Sequence, residues 1–288
     1  MTSIAADTVG ARVFDLFCTP VPLPEQPWEQ PLLATATRVG SVEHAGDHLP
    51  VYRWGQGPTV VLTHGWGARA AHMGALARAL AEAGFSAVAY DGPAHTRAAL
   101  AGRARQQATM VDFARALAAV VELVGPVHAL VGHSMGGASS ALAVSGFAEH
   151  LDTTPEVPRS SAGDPGAARH VERLVLLSAP DRLADAMAAW AMRSGAGAGA
   201  VEPIALETLR RFGVPVEAFS VSAMAQRLPP RTLLIHDADD DQVPIGGAHR
   251  VDRALGGGRL VITSGLGHGR TLTDPGVVAH VLAHLRRP

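Results

Sequence analysis

Ser134 stands in a segment whose composition and position suit a catalytic nucleophile. The hexapeptide at 132–137 reads Gly-His-Ser-Met-Gly-Gly, between an apolar run typical of a buried strand (127–131) and an Ala- and Leu-rich stretch typical of a helix (138–150). A serine on such a turn has a strained backbone that raises its hydroxyl clear of the sheet, and Gly132 and Gly136 remove side chains that would collide there. The pattern also arises by chance in a chain with 31 Gly, but its context predicts a nucleophile elbow.

A serine hydroxyl needs a base that accepts its proton, and the base needs a carboxylate that orients it. Histidine is the natural base, although the chain has 14 His. His268 is the strongest candidate because it follows the last predicted strand, in a Gly-rich loop (264–269) that lets the imidazole reach back over the sheet. The acidic stretch at 237–241 follows the preceding predicted strand and supplies candidate carboxylates. These residues predict nucleophilic catalysis by serine.

The composition excludes several other mechanisms. All 24 basic residues are Arg, so the sequence has no lysine for Schiff-base catalysis, a Ser-Lys dyad or a phosphate-binding loop. The single Cys18 can form neither an internal disulfide nor a Cys-based zinc site, and we interpret it as a buried or inactive thiol. A formal net charge of −2 gives no electrostatic case for binding nucleic acid. Since no apolar run is long enough for a membrane span and residues 1–17 lack the core of a signal peptide, we expect a soluble, cytoplasmic protein.

Strand-like and helix-like segments alternate along most of the chain. Apolar runs typical of strands lie at 59–63, 86–90, 127–131, 171–178, 232–236 and 259–263. Segments with helical character lie between and after them, at 70–83, 106–124, 138–150, 247–255 and 275–286. This alternation predicts an α/β fold with a mostly parallel, doubly wound sheet, and residues 38–54 predict a hairpin at one sheet edge.

Other segments interrupt this alternation. Residues 1–36 are assigned to an N-terminal arm packed on the domain, because the Pro-rich stretch 18–34 favours an extended chain. Residues 181–228 predict a small helical cap, with helix-like pieces at 182–192 and 203–212. The core then comprises 37–180 and 229–288, and the polar stretch 152–169 predicts a surface loop.

The order of Ser134, an acidic residue and His268 resembles the α/β-hydrolase superfamily, in particular bacterial serine carboxylesterases. The family pattern His-Gly-x-x-Asp-x-x-Val-Pro falls on residues 236–244 and implies Asp240 as the acid. An Asp occupies position 237 in place of the usual Gly. The alternatives for the acid are Asp239, Asp241 and Asp181.

The resemblance also implies how a negatively charged intermediate would be bound. Residues 64–67, His-Gly-Trp-Gly, resemble the family's oxyanion loop, so the backbone N–H groups of Trp66 and Met135 are the implied oxyanion hole. Residues 91–97 resemble a further loop of the family, to which we assign no catalytic role. His64 and His133 are interpreted as structural hydrogen-bonding residues behind the site.

Together these features imply a serine hydrolase that cleaves carboxylic esters of small to medium acyl groups through an acyl-enzyme intermediate, without a metal or organic cofactor. The same residues can support thioester, lactone or C–C bond hydrolysis, perhydrolysis or acyl transfer. A non-catalytic ligand-binding receptor on the same fold is the alternative from a different class. The expected partner is a small-molecule ester, and the chain is expected to be a monomer or homodimer.

Overall fold

The protein is described by a computed structural model covering residues 2–151 and 166–287, without the side chains of residues 2–8. Its strands are β1 (Thr37–His44), β2 (Asp47–Trp54), β3 (Thr59–Thr63), β4 (Ser86–Tyr90), β5 (Val127–His133), β6 (Arg173–Leu177), β7 (Arg231–Asp237) and β8 (Leu260–Thr263). Its helices are α1 (Thr2–Phe17), α2 (Glu29–Ala34), α3 (Gly74–Glu82), α4 (Arg97–Leu100), α5 (Met110–Val124), α6 (Met135–Val144), α7 (Leu183–Arg193), α8 (Val201–Phe212), α9 (Gly246–Ala254) and α10 (Pro275–Arg286).

The described strands form one eight-stranded sheet in the order β1-β2-β4-β3-β5-β6-β7-β8. The β1–β2 hairpin and the β2–β4 pair are antiparallel, and the remaining neighbours are parallel. The predicted α/β fold with a mostly parallel sheet is therefore confirmed. From β3 the chain moves to one side to make β4 and then crosses to the other side to make β5. Such a reversal leaves a crevice at the carboxyl ends of the strands, where ligands bind in open α/β sheets.

Both faces of the sheet are buried, which explains the continuous apolar runs. In β3, Val61 belongs to one hydrophobic cluster, whereas Val60 and Leu62 belong to another. Because successive side chains of a strand point to opposite faces, each cluster covers one face. Residues of α5 and α6 contribute to the first cluster, and residues of α3 and α10 to the second. The central strands are thereby held between two layers of helices.

Local signals explain the ends of three helices, and they correct two predicted boundaries. Helix α5 begins at Met110 rather than at 106, because Thr109 and Asp112 form a reciprocal capping box. Helix α6 ends at Val144 instead of continuing to 150, because Gly146 adopts a left-handed conformation with φ of 71°. The predicted start of the last helix is confirmed, since the Asp274 side chain accepts a hydrogen bond from Val277 N and Pro275 opens α10.

The stretch predicted to be extended, 18–34, contains no helix at 18–28 but is helical at its end. Residues 29–34 form α2, which tolerates Pro31 because the first N–H groups of a helix need no intrahelical acceptor. Most of residues 1–17 form α1, a helix that the sequence interpretation did not assign. Cys18, just after α1, is buried, and burial raises the pKa of its thiol. The interpretation of a buried thiol is therefore confirmed.

A buried ion pair fastens the arm to the core. Arg69 donates from Nε to Glu29 Oε2 at 2.9 Å and from Nη2 to Glu29 Oε1 at 2.6 Å. The two residues are 4% and 1% exposed. Burial by itself would raise the pKa of Glu29, but the hydrogen bonds from Arg69 and from Gln26 N lower it further than burial raises it.

Residues 181–228 lie between β6 and β7 and contain α7, α8 and short 3₁₀ turns. The division into arm, core and cap stays a prediction. Most of the loop predicted at 152–169 lies outside the described residues, which resume at 166 and form a 3₁₀ turn at Ala167–His170. Along the stretches that the structure covers, no helix has the length and apolarity needed to cross a membrane.

The Glu29–Arg69 pair yields a prediction about stability. Glu29→Ala leaves Arg69 buried without its partner, and we expect the free energy of unfolding at pH 7 to fall by about 3 kcal/mol. Because the folded-state pKa of Glu29 lies below its unfolded value, the wild-type advantage is complete above about pH 5 and shrinks as the pH falls through about 4. Urea unfolding over this pH range measures both effects.

The matched control is Glu25→Ala, which removes a carboxylate paired with Arg97 at the surface, where the side chains are 52% and 51% exposed. We expect it to cost less than about 1 kcal/mol. Equal losses in the two variants would show that the buried pair has no special role.

Candidate active site

Ser134 lies at the turn between β5 and α6, in strained backbone geometry. Its φ of 54° and ψ of −129° place a non-glycine residue in a region that costs on the order of 1–3 kcal/mol. A hydrogen bond from Ser134 N to Leu177 O, 2.8 Å long, ties the turn to β6. A Cβ at position 132 would come within 2.5 Å of Gly136 O, and one at position 136 within 2.3 Å of His64 O. Only glycine fits at these positions, so the sharp turn depends on Gly132 and Gly136.

His268 follows β8 and is oriented by Asp240, which follows β7. Nδ1 of His268 lies 2.8 Å from Asp240 Oδ2, while Asp240 Oδ1 accepts hydrogen bonds from the backbone N–H groups of Gln242 and Val243. Burial alone would raise the pKa of Asp240, but the hydrogen bonds from His268 and these N–H groups lower it below its usual value. An ionised carboxylate can only accept a hydrogen bond, so Nδ1 of His268 carries its proton and donates it to Asp240 as a hydrogen bond. Nε2 of His268 is then free to act as a base.

The other candidate acids are engaged elsewhere or exposed. Asp181 accepts a 2.6 Å hydrogen bond from Arg250 Nε and holds the turn around Ser222. Asp239 Oδ2 accepts from Gly265 N at 2.7 Å, and Asp241 is exposed. Of the acids considered from the sequence, the structure therefore brings Asp240 to the His268 ring.

Trp66 and Met135 lie in the loops that follow the adjacent strands β3 and β5. Their backbone N–H groups have no hydrogen-bond acceptor within residues 2–151 and 166–287. Met135 is the first residue of α6, where free N–H groups and the helix dipole favour a negative charge. Both residues line the same cavity as Ser134 and His268. The arrangement can stabilise an oxyanion that forms beside Ser134.

Neutral histidines hold the oxyanion loop. Nδ1 of His64 donates to Gly65 O and its Nε2 accepts from Gly92 N, each at 2.8 Å. His95 Nε2 accepts a 2.9 Å hydrogen bond from Gly67 N. Burial lowers the pKa of His64 well below its usual value and that of His95 to about 4, so both rings keep an acceptor nitrogen at neutral pH.

His133 fixes the backbone of the histidine loop. Its Nε2 donates to the carbonyl oxygen of His268 at 2.9 Å, and Thr271 Oγ1 donates to the same oxygen at 3.0 Å. Burial and the nearby His268 lower the pKa of His133 to about 4. His64 and His133 thus form structural hydrogen bonds, as the sequence interpretation expected.

Asp237 is a site residue whose role the sequence interpretation missed. Its fully buried carboxylate accepts hydrogen bonds from Thr263 Oγ1, from the N–H groups of Leu266 and Gly267, and from Asp239 N. The carboxylate therefore ties the acid loop after β7 to the histidine loop after β8. The available signal was the Asp at a position where the family pattern has Gly.

Ser134 and His268 face a common cavity of about 580 Å³, a size typical of small-molecule sites. Gly65, Trp66 and Met135 line it beside them, and residues of α1, α7 and α8 supply apolar walls. Ser134 Oγ makes no hydrogen bond to any residue that the structure describes, His268 included. Hydrogen bonds between nucleophile and base are often loose in free enzymes and tighten when substrate binds.

The sequence profile of the Alpha/beta hydrolase family matches residues 60–281, which include every loop just described. The chain therefore belongs to the α/β-hydrolase family. This confirms the resemblance inferred from the motifs, and it supports a hydrolase as the class of enzyme. No curated protein matches the chain in sequence.

Solved structures share the fold at low sequence identity. Esterase 2 of Thermogutta terrifontis, phosphoramylated by tabun, aligns over 91% of this chain and 95% of its own, with 17% identity and a TM-score of 0.61. A bacterial membrane phospholipase A aligns over 98% and 92%, with 18% identity and a TM-score of 0.59. A bromoperoxidase from Bacillus anthracis aligns over 86% and 99%, with 18% identity and a TM-score of 0.58.

The contacts of Asp237 yield a prediction about the histidine loop. Asp237→Ala leaves the N–H groups of Leu266 and Gly267 without their acceptor, and each lost bond to a buried carboxylate costs about 1.5–3 kcal/mol. We expect hydrogen exchange at these two amides to accelerate by roughly tenfold to a hundredfold. Exchange measured by NMR or mass spectrometry tests this.

Asp241→Ala is the matched control, because Asp241 is an exposed residue of the same acidic stretch. It should leave exchange at Leu266 and Gly267 unchanged. If Asp237→Ala also leaves their exchange unchanged, the carboxylate does not hold the loop.

Proposed function

We propose that the protein is a serine hydrolase that cleaves carboxylic esters through an acyl-enzyme intermediate, with Ser134 as nucleophile, His268 as base and Asp240 as the acid that orients it. The observation that carries the proposal is the 2.8 Å contact between His268 Nδ1 and Asp240 Oδ2, on a cavity that Ser134 also lines. It determines which nitrogen of His268 remains available to accept a proton.

In the first half of the proposed reaction, Ser134 Oγ attacks the carbonyl carbon of the ester and His268 Nε2 accepts the hydroxyl proton. The carbonyl electron pair moves onto oxygen, where the N–H groups of Trp66 and Met135 stabilise the charge. The pair then returns, the bond to the alcohol breaks, and His268 gives the proton to the leaving oxygen. Asp240 stabilises the imidazolium throughout.

In the second half, water attacks the acyl-enzyme and His268 takes a proton from it. The second tetrahedral intermediate uses the same N–H groups. Its collapse breaks the bond to Ser134 Oγ, returns the proton to that oxygen and releases the carboxylic acid. Each step needs only groups of this chain and water, so the cycle closes without a cofactor.

The character of the cavity supports an uncharged substrate with a small to medium apolar group. Most of its wall is apolar, with Trp66 and Met135 beside Ser134 and apolar side chains from α1, α7 and α8 farther away, and the ionisable side chains of Asp181, Arg182, Asp185 and Arg193 also line it. The esterase among the structural neighbours is described with propionate bound and, separately, as modified by tabun, and this motivates organophosphorus reagents as probes here. We also retain the predictions of a cytoplasmic location and of a monomer or homodimer.

Ser134→Ala tests the proposal directly. The wild type should hydrolyse p-nitrophenyl esters with a burst of nitrophenol equal to the enzyme concentration, because the good leaving group makes acylation faster than deacylation and the acyl-enzyme accumulates. The variant should lose on the order of 10⁴-fold or more in kcat, and a fluorophosphonate should label the wild type at Ser134 only. Stopped-flow absorbance and peptide mass spectrometry give the two readouts.

Ser194→Ala is the matched control, since Ser194 is an exposed serine after α7. It should keep full activity and labelling. A folded wild type that neither turns over these esters nor reacts with the fluorophosphonate would overturn the proposal in favour of a ligand-binding receptor.

A further inference from the structure

The segment from Phe14 to Trp28 forms part of the wall of the cavity that contains Ser134. The residues of this segment that line the cavity are all apolar or, in the case of the protonated Cys18 thiol, uncharged; they are Phe14, Phe17, Cys18, Leu23 and Trp28. The segment lies outside residues 60–281, the part of the chain that matches the family. The part of the chain that matches the family therefore does not include this wall of the cavity.

One end of the segment is fastened to the cap. The Phe17 ring packs edge-on against Trp190 of α7, with 5.6 Å between ring centroids. Arg211 of α8 donates to Asp15 Oδ1 at 3.0 Å and places its guanidinium 4.3 Å from the centre of the Phe14 ring. The last turn of α1 is therefore held against both cap helices.

The other end is fastened to the oxyanion loop. Leu23 N donates to Gly67 O at 2.9 Å, and Arg69 Nη1 donates to Leu23 O at 3.0 Å. Glu29, one residue after Trp28, forms the buried pair with Arg69 described above. The segment therefore spans the cavity between the cap and the loop that carries Trp66.

We propose that this segment forms the subsite for the aliphatic chain of the substrate and determines the chain length that the enzyme prefers. The inference rests on the proposed esterase activity and names its substrate class: uncharged esters with a chain of several methylenes. Aromatic side chains of the segment and Trp190 present apolar surface to the cavity, and each methylene that leaves water changes binding roughly fourfold. No side chain that the segment places on the cavity offers a charge to a polar substrate group.

The test is a pair of ester series assayed with single variants of the segment. In the first series the acyl chain of p-nitrophenyl esters runs from acetyl to dodecanoyl, and in the second the alcohol of alkyl acetates lengthens in the same steps. For Phe17→Ala we expect the ratio of kcat/KM for an eight-carbon chain to that for the shortest ester to fall by roughly tenfold in one series. The series that responds identifies whether the acyl or the alcohol chain occupies the subsite.

Leu16→Ala is the matched control, because Leu16 is on the same helical turn, is 63% exposed and does not line the cavity. Trp28→Ala provides a second variant at the other end of the segment, with the 83% exposed Val21→Ala as its control. Both controls should keep the wild-type ratio, and Trp28→Ala should lower it.

Labelling of Ser134 with a short-chain fluorophosphonate separates the two proposals. If the variants are labelled at the wild-type rate but keep the wild-type chain-length ratio in both ester series, the subsite proposal is wrong and the esterase proposal stands. If no ester is cleaved and the wild type is not labelled, the esterase proposal itself fails. A long-chain fluorophosphonate that loses its rate advantage in Phe17→Ala would support the subsite without any turnover.

Discussion

The site depends on a backbone conformation that a serine rarely adopts. Ser134 has a positive φ because β5 must turn into α6 within one residue, close against β3. The turn exists because Gly132 and Gly136 let three backbone segments approach to distances at which any side chain would collide. The same close approach makes Met135 the first residue of a helix and sets it beside the loop after β3. The position of Ser134 and the closeness of Met135 to the loop at 64–67 thus both depend on these two glycines.

Two nearby carboxylates, Asp237 at the end of β7 and Asp240 in the loop after it, make different kinds of contact. Asp240 contacts the imidazole of His268 and acts on its charge, whereas Asp237 contacts backbone N–H groups and acts on the position of the loop. For Asp237, burial raises the pKa, but hydrogen bonds from Thr263 and from the loop N–H groups lower it below its usual value. The two carboxylates can stay ionised close together because each is surrounded by its own donors. The orientation of the His268 ring therefore depends on the hydrogen bonds that Asp237 makes to the loop, as well as on the contact of the ring with Asp240.

The sequence predicted the features that local chemistry controls. The β strands of the parallel sheet, the start of α10 at Pro275 after its cap Asp274 and the residues brought together by the acid and histidine loops all follow from short patterns. Helices α1 and α2 were not predicted because their packing depends on contacts far along the chain: Glu29 meets Arg69, and Asp15 meets Arg211, which is 196 residues away. The prolines of 18–34 indicate which backbone hydrogen bonds that stretch cannot form. They carry no information about the contacts that stabilise α1 and α2. The role of Asp237 was missed for a related reason, since its donors come from a loop about 30 residues later.

The contact between α1 and α8 also bears on how the protein is made. Residues of α1 leave the ribosome long before Arg211 and the rest of α8 are synthesised, so the N-terminal helix cannot reach its final place during most of translation. Closing so long a loop is slow and costs entropy that only the completed packing repays. The sheet core can form first around β3 to β6, and the cavity beside Ser134 gains the wall supplied by α1 in a late docking step. Until then the apolar faces of Phe14 and Phe17 lack the cover that Arg211 and Trp190 give them in the folded protein.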